Sequence, residues 1–404
     1  MIERRSILAG AGALALAGPA RAAGKPVVRI GMLQDASGPY SHLGGRLSLE
    51  CARQAILELP ADAPFTVQLI SADHRNNPNI GLAIAREWIA DGVDAIMEFN
   101  NSAIALAANT LIRDTDRVLL GNNVGSATLS GKACTPNMTH WTFDTSMLAR
   151  VVGNALCDGG GDSWFFIRAD YVFGRDLRDD TAAVVKGRGG TVLGESAVPV
   201  GTTDYASSLL EAQGSGAKVV ALALAGSDLL TCLKQAGEFG LMRAGQKVVS
   251  LVIYPQNVRA LGLDTVQGMY LAESFYWDLN DRTRAFTGRV TPRTSGMVPH
   301  MGAAGAYSAV NHYLKAVASL GPVEAKASGR AAVARMKQLP VDDDVLAHAR
   351  IRPDGRVVSD VFLFQAKQPG DSRGEWDLYD LRATLGPDRA WRPMSEGGCP
   401  LVQG

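Results

Sequence analysis

The stretch "VVRIGMLQDASGPYSHLGG", residues 27–45, decides the fold. Val27 to Gly31 is an apolar run fit for a buried strand. A polar turn follows, and the helical pattern "LSLECARQAILEL" starts at Leu47. A bare connection needs only a glycine and a cap. This one carries Asp35, Ser37, Tyr40, Ser41 and His42, a surplus that asks for a reason.

Working outward, the same rhythm continues. "FTVQLIS", "VDAIMEF" and "RVLLG" read as strands, with "NIGLAIAREWIADG" and "SAIALAANTLIRDT" as the helices between them. After the loop "NNVGSATLSGKACTPNMTHW" the rhythm restarts. Strands "DSWFFIR", "TVLGESAVP", "AKVVALAL" and "QKVVSLVI" alternate with helical patterns. The hydrophobic period switches repeatedly between two and 3.6, which predicts parallel sheets with helices on both faces. The last third adds the helices "AAGAYSAVNHYLKAVASLG" and "GRAAVARMKQL", the strand "VSDVFLFQAK" and a turn-rich tail. The chain reads as two α/β lobes, each a doubly wound parallel sheet, with several crossings between them. The cleft between such lobes is the natural ligand site.

Composition sets the surroundings. The 404 residues are 47% hydrophobic and 20% charged, and 40 basic residues balance 40 acidic ones. No net field draws the protein to nucleic acid or to a membrane surface. Residues 1–22, "MIERRSILAGAGALALAGPARA", read as a signal peptide: Arg4 and Arg5, an apolar stretch, then Ala20-Arg21-Ala22. The paired arginines point to the twin-arginine route, with general secretion as the alternative. The apolar stretch is too short to span a bilayer, and no direct membrane insertion is expected elsewhere. The mature chain should be soluble, periplasmic and monomeric. Export permits disulfides. Of the five cysteines, Cys51, Cys157 and Cys232 sit in apolar helical patterns, whereas Cys134 and Cys399 lie in turn-rich loops. Cys134 with Cys399 is the better pair.

Catalytic signatures are poor. There is no G-x-S-x-G elbow, no H-E-x-x-H and no C-x-x-C. Gly125 to Lys132, "GSATLSGK", is one residue too long for a phosphate loop, and Ala133 replaces the magnesium-binding hydroxyl. The six histidines lack metal-ligand spacing. No cofactor and no metal are expected. What recurs instead is a polar loop after a strand: Gln34–Gly45, Phe99–Ala103, Asn122–Ser126, Ala169–Gly174, Ala225–Asp228 and Tyr254–Asn257. Ligands of open parallel sheets sit outside the carboxyl ends of the strands, where helices begin. A single such loop is often only an N-cap. Six together favour binding.

In order and spacing, "IGMLQDASGPYSHLGG", "ADHRNNPNIGLAIAREWIADGVDAIMEFNNSA", "RADYVFGRDL" and "AGSDLLTCLKQAGEFGL" resemble the periplasmic solute-binding proteins of branched-chain-amino-acid-type ABC transporters. The resemblance covers essentially the whole mature chain. It implies the type I periplasmic-binding fold: two lobes, a hinge of three crossings and closure over a ligand. It assigns residues 25–143 and 275–357 to the N-terminal lobe, and 144–274 and 358–404 to the C-terminal lobe. By position it implies ligand contacts from Phe99, Asn101, Ser102, Val124, Gly125 and Ser126 in the first lobe. Tyr171, Ala225, Gly226 and Tyr254 follow from the second, with Tyr40 at the cleft rim. The rich opening turn would then border a ligand.

Two departures bear on the solute. Amino-acid binders of this family hold the ammonium with an acid in the second lobe, and Tyr254 stands about there. Asn101 stands where a Ser is usual. A buried ammonium without a carboxylate is costly, so the sequence favours an amide, carboxylate or aromatic acid over a free amino acid. Asp170, Asp228 and Glu273 remain other sources of the charge. The expected function is capture of a small-molecule ligand for a membrane permease. An amino-acid binder, a ligand-sensing subunit of a membrane receptor and an exported hydrolase are the rivals.

Overall fold

The computed structural model describes residues 24–241 and 245–402, so residues 1–22, expected to be a signal peptide, lie outside the described residues. Five strands form the first sheet: β1 (Val27–Gln34), β2 (Thr66–Asp73), β3 (Ala95–Glu98), β4 (Val118–Gly121) and β5 (Met138–His140). Their order is β2-β1-β3-β4-β5, and every pairing is parallel. The second sheet holds β6 (Ser163–Ala169), β7 (Thr191–Val198), β8 (Val219–Ala223) and β9 (Lys247–Ser250) in the order β7-β6-β8-β9, again all parallel. Both sheets therefore begin in the middle and grow outward in both directions. That places a topological switch point, and a crevice, at the carboxyl ends of β1 and β3 and of β6 and β8.

Sequence explains the layering. β8 is "VVALA" and is buried at every position, as parallel strands covered on both faces must be. Helix Met301–Leu320, "MGAAGAYSAVNHYLKAVASL", is buried along nearly its whole length and packs beside helix Gly45–Leu57. Its small residues allow that close approach.

The chain changes lobe three times. It leaves the first sheet after β5 through the helical run 145–158. It returns after β10 (Tyr270–Glu273) to place helix Met301–Leu320 on the first lobe. It leaves again after the hairpin β11 (Arg350–Ile351) and β12 (Val357–Val358), where Arg356 bridges His140 of β5. β13 (Val361–Ala366) and β14 (Tyr379–Leu385) then pair antiparallel with β10, and Phe364 and Tyr379 join the core under the second sheet.

The C-terminal tail is stitched to the loop that follows β4. Cys399 is bonded to Cys134 with their Cα atoms 5.6 Å apart. The Arg392 guanidinium donates to the Ala127 carbonyl at 3.1 Å. The Trp391 indole donates to the Ser359 carbonyl at 2.7 Å while its ring carries the Arg356 guanidinium at 4.2 Å. Cys51 and Cys232 are buried thiols. Cutting the cross-link frees a long loop in the unfolded chain. Cys399→Ser should lower the unfolding free energy by about 2–5 kcal/mol. Urea titration checks this, and the wild type in excess dithiothreitol should match the variant.

Candidate ligand-binding cleft

The loops at the carboxyl ends of both sheets meet around a small cavity. The first-lobe wall is built by hydrogen bonds within the loops. The Asp35 carboxylate accepts from the Gly38 N–H at 2.7 Å and the Tyr40 N–H at 2.9 Å. That folds the opening turn back and sets Tyr40, 1% exposed, into the cleft. Asp73 holds the same turn from the next strand, accepting from the Ala36 N–H and the Ser37 hydroxyl. Both acids are caps.

Beneath the wall lies Glu98, fully buried at the end of β3. Its carboxylate accepts from the side-chain amides of Asn123 at 2.6 Å, Asn122 at 2.5 Å and Asn100 at 3.3 Å. Burial raises its pKa, and the amides of Asn123 and Asn122 act against that rise. Asn100 and Asn123 themselves line the cavity. Ser102 lines it as well. Its oxygen accepts from the Ser126 N–H at 3.1 Å, so its own hydrogen is left to donate. Ser102 also opens the thirteen-residue helix Ser102–Asp114, whose positive end faces the site.

The second-lobe wall is aromatic. Tyr171, Phe173 and Tyr254 line it, with Ala225 and Val252 between, and Phe143 stands at the lobe crossing. Phe143 meets Tyr254 edge-on at 6.3 Å, and Tyr254 stacks on His300 at 4.2 Å. His300 caps helix Met301–Leu320 by accepting from the Gly302 N–H at 3.1 Å. Burial, with His42 nearby, drives its pKa down to about 3, so the ring is neutral. Burial raises the Tyr254 pKa, helped by Glu273 and Glu98, so its phenol remains a hydrogen-bond donor.

The structure brings six of the anticipated residues to the cavity: Tyr40, Ser102, Gly125, Tyr171, Ala225 and Tyr254. Five others have different work. Phe99 is packed in the core of the first lobe, and its carbonyl accepts from His74 at 2.6 Å. Asn101 caps helix Ser102–Asp114, accepting from Ala103 at 2.9 Å and Ile104 at 3.2 Å. Val124 is in the core and its carbonyl binds His140. The Ser126 hydroxyl donates to Asp176 of the second lobe. Gly226 lies under the Tyr40 ring and the Pro39 carbonyl. Leu43, Asn100, Asn123, Phe143, Phe173 and Val252 line the cavity without having been anticipated. The doubled asparagines of "FNNSA" and "NNVGS" were the available signal.

No side chain of the lining carries a formal charge. Asp170 is half-exposed and pairs with Arg168 at 3.1 Å. Asp228 accepts twice from the Gly201 N–H, and burial raises its pKa. Glu273 is buried, and burial pushes its pKa well above its ordinary value, with the Met301 N–H acting against that rise. Glu273 lies near Tyr254 and helps to raise the pKa of its phenol. Among the described residues no cluster of His, Cys, Asp or Glu has the geometry to hold a metal ion.

Comparison with known proteins fits this geometry. Residues 27–373 match the periplasmic binding protein family model. The chain belongs to that family, the class of periplasmic binding proteins of ABC transporters. A crystal structure of a periplasmic binding protein from Burkholderia mallei is 34% identical, with a TM-score of 0.89, covering 94% of this chain and all (100%) of that one. A branched-chain amino acid ABC transporter periplasmic ligand-binding protein from Burkholderia xenovorans is 35% identical, with a TM-score of 0.81, over 93% of this chain and 99% of that one. A Leu/Ile/Val-binding protein homologue from Brucella melitensis is 22% identical over 229 residues, 56% of this chain. The match spans 58% of that curated relative's length.

Two outcomes follow from the geometry. A Cβ at Gly125 would lie 2.5 Å from the Phe173 ring of the opposite lobe. Gly125→Ala should therefore weaken ligand capture at least about tenfold through the strain of overpacking. Calorimetric titration reads the loss, while the melting point of the ligand-free protein changes little. Because the folded-state pKa of Glu273 is raised, its contribution to stability is full in acid and falls as pH rises from the ordinary carboxylate range. Glu273→Gln should match the wild type near pH 4 and become progressively the more stable protein towards pH 8 in thermal melts.

Proposed function

We propose that this protein is the exported solute-capturing subunit of an ABC importer, and that its solute is a small aromatic or amide-bearing acid rather than a free amino acid. The observation that carries this is the cavity wall: five aromatic rings with hydroxyl and amide donors, and no carboxylate free to pair with an ammonium. Burying an unpaired ammonium costs several kcal/mol, on the order of 3–5, in a site of this kind. A carboxylate fares better. The Ser102 hydroxyl, the Asn100 and Asn123 side chains and the end of helix Ser102–Asp114 offer it hydrogen bonds and a positive dipole. Tyr171, Phe173, Phe143 and Tyr254 then supply flat walls, each ring contact adding about 0.5–1.5 kcal/mol.

Export rests on the leader, residues 1–22. Among the described residues no helix is long and apolar enough to cross a membrane. Delivery to a permease is the reading its family supports. The lobe assignment follows the three changes of lobe, with 25–143 and 275–357 moving as one body and 144–274 and 358–404 as the other. We read the cleft as a capture site, not a catalytic one.

The test is a thermal-shift series on mature protein unfolded and refolded to strip any carried solute. Benzoate, 4-hydroxybenzoate, benzamide, isobutyramide and leucine are the probes. Ligand at a hundred times its dissociation constant stabilises by about 2.7 kcal/mol. An aromatic acid or an amide should raise the midpoint by several degrees and leucine should not. A shift with leucine alone would overturn the assignment of the solute class.

A further inference from the structure

The lobes are joined by more than the three chain crossings. β14 lies in the second lobe: it pairs with β13, and Tyr379 is in the core under the second sheet. A few residues later the chain rests on the first lobe. The Arg392 guanidinium donates to the Ala127 carbonyl at 3.1 Å, and the Arg392 carbonyl accepts from the Arg352 guanidinium at 2.7 Å. A Cβ on Gly131 would lie 2.7 Å from the Gly397 carbonyl oxygen, so closely are the tail and that loop packed. Cys399 is then bonded to Cys134, in the same first-lobe loop. By connectivity the tail continues the second lobe. The disulfide therefore completes a covalent link between the lobes that the chain alone does not make.

This link has a definite place and a definite length. It runs through residues 386–391, between β14 and the first contact of Arg392. Pro387–Ala390 form a single helical turn of 4 residues. A helical residue advances about 1.5 Å and an extended one about 3.3 Å, so straightening this turn would lengthen the link by about 7 Å. The link also lies beside two of the crossings. The Trp391 indole donates to the Ser359 carbonyl in the third crossing. The Trp391 ring lies under Arg356, whose guanidinium donates to the Phe143 carbonyl in the first.

We propose that the Cys134–Cys399 disulfide makes residues 386–391 a fourth strand of the hinge, a strap whose length limits how far the lobes can swing apart. Separating the lobes stretches the strap, first by unwinding the turn Pro387–Ala390 and then against the covalent bond. Without the bond the tail is held on the first lobe by hydrogen bonds, each worth about 1 kcal/mol, and can be shed. With the bond it cannot. The inference concerns the hinge, and it needs neither the identity of the solute nor a choice of which arrangement of the lobes is ligand-free.

Lengthening the strap while keeping the disulfide tests it. The variant carries Gly-Ser-Gly-Ser inserted after Gly386. Four more residues in so long a loop hardly change the entropy of closing it, so its stability to urea should equal that of wild type. Both proteins are unfolded in urea without reductant and refolded, which strips any carried solute and leaves the bond intact. Hydrogen–deuterium exchange then reads local opening. The insertion should speed exchange at least tenfold at the crossings, residues 141–145, 274–280 and 358–361, and leave β8 as in wild type. Small-angle scattering should show the insertion variant and Cys399→Ser reaching more extended shapes than wild type. An insertion variant that is folded and keeps wild-type exchange at the crossings overturns the strap and leaves the disulfide a plain stabiliser. So does a folded Cys399→Ser variant that scatters as wild type.

Discussion

A single buried carboxylate organises the first half of the cleft. Glu98 sits at the end of β3 with φ +81°, fully buried, and gathers Asn100, Asn122 and Asn123. Those amides go further. Asn123 also donates to the Leu43 carbonyl in the opening turn, and Asn122 to the Gly302 carbonyl in the first turn of helix Met301–Leu320. One acid therefore ties together the loops after β1, β3 and β4 and a helix from the far end of the sequence. A buried carboxylate must be met by donors, because leaving it bare costs more than any one of these loops could recover. The two asparagines that serve Glu98 from the cavity side are also part of the ligand wall, so the scaffold and the site share atoms.

The same constraint explains what could and could not be read from the chain. The alternation of β1, β3, β6 and β8 with helices is written in the apolar periods, and it gave the two sheets and the position of the cleft. The register of the polar loops is not written there. Glu98, Phe99, Asn100 and Asn123 all have positive φ, which turns side chains away from the plain alternation of an extended strand. Asn101 and Val124 were anticipated, and their neighbours Asn100 and Asn123 face the cavity instead, one residue off in each loop. Short strands were also silent. Met138–His140 is three residues long and Tyr270–Glu273 four, too few for a period, and both are fixed by partners distant in sequence. β14 alternates poorly because its outer face is exposed and its pairing with β13 is bulged.

The crossing between lobes solves a second problem of buried charge. Arg356 is fully buried beside Asp144, with the Phe143 carbonyl at 3.0 Å and the Trp391 ring beneath it. Burial lowers its pKa, to about 10, which still leaves it charged at neutral pH. His140 nearby is held neutral, with a pKa of about 3, by burial first and by Arg356 second. A second cation there would have no partner. Two of the three chain crossings run past this guanidinium, and the disulfide anchors the tail that covers it. The crossings are thus packed around one buried guanidinium.

On the proposed function, an uncharged cavity leads to one view of selectivity. Where a solute is held by an ion pair, the pair dominates and the fit of the remainder is secondary. Here the lining offers rings, amides and hydroxyls, each worth about a kcal/mol. No single contact can compensate for a poor fit. On that reading selection falls to the sum of many small contacts, which require both walls at once. Gly125 against Phe173 and Gly226 against Tyr40 fix the distance between the walls by the absence of a methyl group. On that reading a solute too thick for the gap between the rings would hold the lobes apart and forfeit the cross-cleft hydrogen bonds, which would make thickness a sharper criterion than charge.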